Sequence, residues 1–258
     1  MIAFDSDSSM ASIGGIEKQK EVFGFTPRKV SGGYKEVQLY LAKLFVKEDS
    51  AVHDELDDLL GESDIKEVKF NLNAKAKAAG VNGIIIDTIT TIGFQTRKQI
   101  QGAAPALEMR GWGTYGDATM RFVNLIKGLN CPVIMTSHLY SDKRGAEGRD
   151  SVEVTDLKGA GKTDVARFFD VILYTSVQRG KDGVAKYLWQ VTPDEKKILA
   201  KIRGEEFAKQ INPTNDAYIP QDLAPILSAY EKGDHPPKIL IIGDSGQGKT
   251  TSLSTINS

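Results

Sequence analysis

Residues 243–250 read Gly-Asp-Ser-Gly-Gln-Gly-Lys-Thr. Glycine, four residues, then Gly-Lys-Thr is the spacing of a loop built to wrap phosphate oxygens. Glycines let successive backbone N–H groups turn inward, and a helix opening after the loop adds its positive N-terminus. In such a loop Lys249 reaches the β and γ phosphates and the Thr250 hydroxyl holds Mg²⁺. Gly243, Asp244, Ser245, Gly246, Gln247, Gly248 and Thr251 supply the rest of the cradle. The run 238–242 (KILII) before it reads as a buried strand, and 251–258 begins a helix. A glycine-rich turn alone does not explain Lys249-Thr250. The expected ligand is a nucleoside triphosphate with Mg²⁺. The chain lacks the Asn-Lys-x-Asp pattern that reads guanine, which favours ATP. A second Gly-Lys-Thr, at 161–163, is set aside: the first glycine of its loop would fall on Asp156, and no apolar strand precedes it.

Phosphate chemistry also needs a carboxylate for the metal and a group to orient water. Asp87 closes the apolar run 83–87 (GIIID), and a carboxylate at the end of a buried strand is placed to help hold Mg²⁺. A strand-end Asp is also a common turn former. Asp7 follows another apolar run, 1–4, and is the preferred water-orienting acid, with Asp5 as its rival. A plain loop role for both stays open. His138 ends the run 132–137 and is placed to sense a γ-phosphate, or simply to close a sheet edge.

These groups need strands and helices to hold them. Runs 83–87, 132–137, 170–177, 184–191, 196–203 and 238–242 read as strands, the 170–203 group as a closing meander. Residues 35–47, 73–79, 118–129 and 222–231 read as helices. The stretch 49–62 is acidic and reads as a solvated helix or loop. Residues 93–117 are rich in Gly, Gln and Arg and read as a long irregular stretch of the kind that is functional or mobile, and 140–162 reads as another long polar loop with several basic residues. Residues 232–237 (KGDHPP) read as a stiff linker.

With 258 residues, 40% of them hydrophobic, the chain can bury a large core as a single α/β domain. That domain divides into 1–231, the linker 232–237 and the phosphate-loop part 238–258. The net charge of -1 makes no general demand for nucleic acid, so such contact needs a local basic patch. The single cysteine, Cys131, excludes an internal disulfide and reads as a core thiol. No apolar run approaches the length of a membrane span. A soluble, cytoplasmic protein is expected. The three histidines, His53, His138 and His235, lack metal-ligand spacing.

Taken together, the motifs resemble the RecA-like ATPase core shared by RecA recombinases, DnaB-type helicases and small phage recombination ATPases. That family runs from the P-loop strand to a strand with a catalytic acid, a Walker B strand, a sensor strand and a β meander. Here GIIIDT at 83–88 looks like Walker B and PVIMTSH at 132–138 like the sensor strand, but the P-loop comes last. Reading 238–258 and then on from residue 1 restores the family order, so the chain looks circularly permuted. The resemblance implies a mainly parallel sheet flanked by helices, ATP hydrolysis, a homo-oligomeric ring or filament, and single-stranded DNA as partner. Lys201 and Arg203 are similar to the Lys-x-Arg that ends a late strand in hexameric helicases, which implies action on a neighbouring subunit's nucleotide. Local support for DNA comes from Arg97, Lys98, Arg110, Trp112 and Tyr115 in one polar stretch, and from Lys143, Arg144, Arg149, Lys158 and Lys162 in the other. The alternative is a nucleotide-binding assembly or motor protein that uses no DNA.

Overall fold

The computed structural model describes residues 1–6, 10, 27–29, 32–45, 71–144, 150–159, 161–181, 183–231 and 235–257. Asp7, Arg149 and the acidic stretch 49–62 lie outside the described residues, as does the first half of the linker, 232–234.

A mixed sheet runs through the molecule. Its strands are β1 (Ile2–Asp5), β2 (Pro27–Lys29), β3 (Ile84–Asp87), β4 (Val133–Arg144), β5 (Asp150–Thr155), β6 (Val171–Arg179), β7 (Ala185–Gln190), β8 (Lys201–Ile202), β9 (Tyr218–Pro220) and β10 (Lys238–Gly243). The spatial order is β2-β1-β3-β4-β10-β6-β7-β9. From β2 to β6 every neighbouring pair is parallel. Strands β7 and β9 extend that edge antiparallel, while β5 pairs with the far end of β4 and β8 with the start of β6. The helices are α1 (Tyr34–Phe45), α2 (Ala74–Ala78), α3 (Ile89–Gln101), α4 (Met109–Gly128), α5 (Gly161–Asp164), α6 (Glu205–Ile211), α7 (Ala224–Glu231) and α8 (Lys249–Ser252). None among the described residues is long and apolar enough to cross a membrane.

Side chains alternate across a strand, so a sheet covered on both faces needs apolar residues at every position. The sheet meets that demand. Ile84, Ile86, Val133, Met135, Leu240 and Ile242 face one cluster, packed under α1, α3 and α4. Ile85, Ile134, Leu173, Ile239 and Ile241 face a second cluster, closed by α6, α7 and Leu253 just past α8. The same parity sends Asp87 and Gly243 toward the second face, where α8 lies. A mainly parallel sheet between helix layers therefore agrees with the α/β expectation.

Two stretches differ from the sequence reading. Residues 93–117 are mostly helical: α3 runs to Gln101 and α4 starts at Met109. Ile89, Ile92, Gly93 and Thr96 form a narrow buried stripe on α3, and its polar remainder hides the period. The three glycines of the first turns of α4, at 111, 113 and 116, disguise it further. Within 140–162, β4 continues to Arg144 and pairs with β5 as an antiparallel ribbon. Of 196–203, only Lys201–Ile202 is strand.

At the start of β10 the sheet encloses an ammonium group. Lys238 is buried, and its Nζ donates to Leu129 O and Cys131 O, each at 2.9 Å, and to Pro236 O at 3.1 Å. Three donors thus meet three carbonyls. Burial still lowers its pKa to about 8, against weaker opposition from Cys131 and Asp170. Burial also pushes the Cys131 thiol up to about 11, as suits a core thiol.

Between about 8 and its ordinary 10.5, the Lys238 amine holds a proton in the unfolded chain that the folded chain has lost. Stability therefore rises with pH across that window. The Cys131 thiol works in the opposite sense, because its raised pKa keeps it protonated in the folded chain while the unfolded thiol ionises, and it offsets part of the lysine gain. Urea unfolding of wild type should show a gain of up to about 1 kcal/mol from pH ~8 to ~9. Lys238→Met should lack that gain. Parallel pH trends in the two proteins would refute the assignment.

Candidate functional site

The site is built where β10 stops. At its last residue, Gly243, an added Cβ would lie 1.6 Å from Thr175 Oγ1, so only glycine lets β10 and β6 stay in register there. Gly246 and Gly248 adopt φ of 76° and 85°, conformations that glycine reaches without a Cβ clash. These turn the loop back on itself before α8. Gln247 braces it: its Oε1 accepts from Thr175 Oγ1 at 2.7 Å and from the Asp244 N–H at 3.3 Å. Gln221 holds the other side, its Nε2 donating to Gln247 O at 3.2 Å and Leu188 O at 3.0 Å.

Inside the loop, Lys249 is buried and its Nζ donates to Gly243 O at 2.8 Å and Asp244 O at 2.7 Å. The ammonium is thereby folded over the loop. Thr250 Oγ1 donates to Asp87 Oδ2 at 3.0 Å, and Thr136 Oγ1 donates to Asp87 Oδ1. Asp87 is fully buried at the end of β3. Its turn is clasped by Ser6, whose N–H donates to Asp87 O at 2.6 Å and whose Oγ accepts the Thr88 N–H at 2.8 Å. Thr88 in turn caps α3, accepting the Thr91 N–H at 3.2 Å. Two residues on, Thr90 Oγ1 accepts the His138 N–H at 3.0 Å.

These groups line a cleft of about 540 Å³ at the carboxyl end of the parallel strands, where open α/β sheets bind ligands. One end presents Asp87, Thr88, His138 and Thr250; the other presents Tyr187, Gln221 and Thr255, with the loop between. A lysine, glycine-turned amides and hydroxyls suit an anion of several phosphates. The Thr250 hydroxyl and the Asp87 carboxylate are hard oxygen donors already in contact, and they fit Mg²⁺.

Of the residues expected from sequence, Lys249, Thr250, Thr251, Asp87 and His138 converge with the glycine loop. Asp244 and Ser245 sit on its exposed crest. Asp7 is outside the described residues, while its rival Asp5 is buried in register with Asp87 on the adjacent strand. Lys201 and Arg203 do not join the cleft. They flank the start of β6, at the opposite end of the sheet. There Lys201 Nζ donates to Ala166 O at 2.7 Å and Arg203 Nη2 to Arg167 O at 2.9 Å. Burial lowers the Lys201 pKa. Tyr187, Gln221, Thr88 and Thr136 were not foreseen. The strand holding Tyr187 is legible in the sequence, but its neighbour across the sheet is not.

The basic groups expected to meet nucleic acid divide. Arg97 and Lys98 lie over the exposed Phe94 ring at 5.1 and 4.7 Å from its centroid. Lys158 and Lys162 lie over Tyr140 at 4.7 and 4.6 Å. A second cleft of about 340 Å³, lined by Thr90, Phe94, Arg97, Asp156 and Lys158 among others, opens beside these groups. Tyr115, expected on a loop, is instead buried in the core beneath α1. Lys162 is tied to Asp142 at 2.6 Å. Trp112 and Arg110 stand exposed on the first turns of α4.

Comparison with known families finds a match to the model described as an AAA domain, over residues 8–203. No curated protein and no solved structure matches. The matched span carries Asp87 and His138 and stops before the glycine loop.

The tightest contact in the site gives a direct test. Gly243→Ala should destabilise the protein by about 1–3 kcal/mol, because the new methyl overpacks against Thr175. Adding Thr175→Ala should recover part of that loss. Urea unfolding of the two single variants and the double variant measures the coupling, and strict additivity would disprove the proposed clash.

Proposed function

The chain belongs to the AAA domain family of P-loop ATPases, and from that premise we propose that it hydrolyses ATP with Mg²⁺ in the cleft at 243–250 and couples turnover to single-stranded DNA. One observation carries the reading. The Thr250 hydroxyl, from the loop, donates at 3.0 Å to the Asp87 carboxylate, 163 residues away at the end of another buried strand. A phosphate loop and a metal-holding acid meet where the chemistry requires both.

The chain's own groups divide the work as follows. Amides of the loop and the Lys249 ammonium bind the β and γ phosphates, with Lys249 exchanging the carbonyls of Gly243 and Asp244 for phosphate oxygens. Thr250 and Asp87 would hold Mg²⁺, which when bound would supply positive charge beside the phosphates. Asp7, or Asp5 at the end of β1, orients the attacking water. His138, the last residue of β4 to pair with β10, contacts the γ-phosphate side. Attack is in line, and stabilisation is electrostatic more than covalent.

DNA coupling rests on α3. That helix begins at Thr88, next to Asp87, and carries Phe94, Arg97 and Lys98 beside the second cleft. An aromatic face framed by cations suits a stacked base and its phosphates. Recombination or annealing, as in the phage ATPases the sequence resembles, is the corresponding role. A homo-oligomer would let Lys201 and Arg203 approach a neighbour's nucleotide, which they do not do within one chain.

We also read the chain as a circular permutant. Strand β10 is inserted between β4 and β6, and joining its helix to β1 gives the order P-loop, acid, Walker B, sensor, meander. Met1 and Ile256 pack against the same apolar cluster, which supports such a join.

Phosphate release with ATP and Mg²⁺ tests the main reading. Lys249→Ala should lower turnover by about a hundredfold or more, as loss of a transition-state donor does. Single-stranded DNA should raise wild-type turnover. Replacing both Phe94 and Arg97 by Ala should abolish that rise and leave DNA-free turnover within about twofold, since neither residue lines the first cleft. Wild type that binds ATP but releases no phosphate, with or without DNA, would favour the assembly role without catalysis.

A further inference from the structure

The 243–250 cleft has two unlike ends, and only one suits phosphate. The end holding Asp87, Lys249 and Thr250 carries the charge. The other is lined by Tyr187, Gln221, Ser254 and Thr255, with no charged side chain among them. Tyr187 is the aromatic group there. It shares a face of β7 with Trp189, two residues on, which is fully buried in the second core cluster. The Tyr187 ring thus continues the apolar surface of the core out past the sheet's edge. It is 48% exposed, and a Cβ placed on Gly248 would lie 3.2 Å from its Cδ1. One part of the ring is therefore seated against the phosphate loop, and the rest is open.

The support beneath it is rigid. Tyr187 O accepts the Gln221 N–H at 3.3 Å, and the Gln221 side chain spans Leu188 O and Gln247 O. Thr255 Oγ1 accepts the Leu223 N–H at 2.8 Å, tying the segment after α8 to the same corner. Strand, loop and helix end are joined by hydrogen bonds around the ring. A half-exposed aromatic ring held this firmly beside a phosphate loop has one chemical use that the neighbouring groups do not serve, which is stacking on a flat heterocycle.

We propose that Tyr187 is the nucleobase platform of the cleft, stacking on the base of the nucleotide whose phosphates sit on the loop 243–250. The proposal rests on the nucleoside triphosphate reading above and adds its base subsite. Because the contact is a ring face, and no charged side chain at that end reads the base edge, the site should tolerate different bases. It should nevertheless prefer a nucleotide to a bare polyphosphate.

Equilibrium binding of Mg·ATP and of inorganic tripolyphosphate to wild type, Tyr187→Ala and Tyr187→Phe tests this. Stacking on an aromatic side chain is worth enough that Tyr187→Ala should weaken ATP about tenfold. Tripolyphosphate binding should stay within about twofold, and Tyr187→Phe should bind ATP as wild type does. GTP and CTP should lose affinity in Tyr187→Ala by a similar factor. Equal weakening of ATP and tripolyphosphate would mean that the ring only supports the loop, and would overturn the proposal. So would unchanged ATP binding in Tyr187→Ala. Wild type that binds neither ligand would overturn the triphosphate reading itself, a result distinct from the other two.

Discussion

Strand β10 is bonded on both sides, to β4 through Lys238↔Val133 to Gly243↔His138 and to β6 through Ile239↔Val171 to Ile242↔Tyr174. Remove it and the parallel sheet falls into two halves, each with an open edge. Its residues at 239–242 are wholly buried, contributing apolar surface to both clusters at once. Each such side chain is worth about 1.5–3 kcal/mol when taken out of water. The phosphate loop is therefore an extension of the strand that closes the core. Completing the sheet and placing Gly243 at its upper edge are one event.

That dependence has a kinetic side. The strands that flank β10 come from distant parts of the sequence, and the hydrogen bond from Thr250 to Asp87 spans 163 residues. Such contacts are reached only after a large loss of chain entropy, and folds built on them form slowly. The buried Lys238 adds to this. Its ammonium finds three carbonyl partners only once the turn at 129–131 and the segment at 236 stand together around it. Until then that end of the sheet holds an unsatisfied cation, which disfavours partly assembled forms.

The parts of the site carried by local pattern were legible in the sequence. The glycine spacing with Lys249-Thr250 is local, and so are the apolar runs that end in Asp87 and His138. Strand parity then links them: Ile85 and Asp87 share a face, as do Ile241 and Gly243, and that face carries α8. What the sequence hides is lateral. Nothing near residue 187 says that its strand will lie two places from β10, or that Gln221 will bridge Leu188 O and Gln247 O. Thr136 is equally mute, since a threonine inside a buried run reads as a strand former until its neighbour is known to be Asp87. The helices at 89–101 and 109–128 were obscured for a different reason. Their buried stripes are narrow, and the exposed Gln, Arg and Gly residues swamp the period on which a helix is recognised.

The two sheet ends also separate two kinds of charge. At the carboxyl end, Lys249 and Asp87 are held close to a cleft, where an arriving polyanion can replace carbonyl partners with phosphate oxygens. At the amino end, Lys238, Lys201 and Arg203 are committed to backbone carbonyls, and Asp170 is ringed by Arg203 at 3.7 Å, His235 at 3.3 Å and the Lys238 N–H at 2.9 Å. These cations neutralise the carbonyl-rich turns below the sheet and leave the ligand end to the loop. Helix α3 belongs to the ligand end by its first residue and to the surface by its last. Thr88 accepts its opening N–H beside Asp87, and Thr90 fixes the point where β4 leaves β10 through the His138 N–H. The Phe94, Arg97 and Lys98 face lies about two to three turns along the same helix, so one rigid element runs from the phosphate cleft to the second cleft.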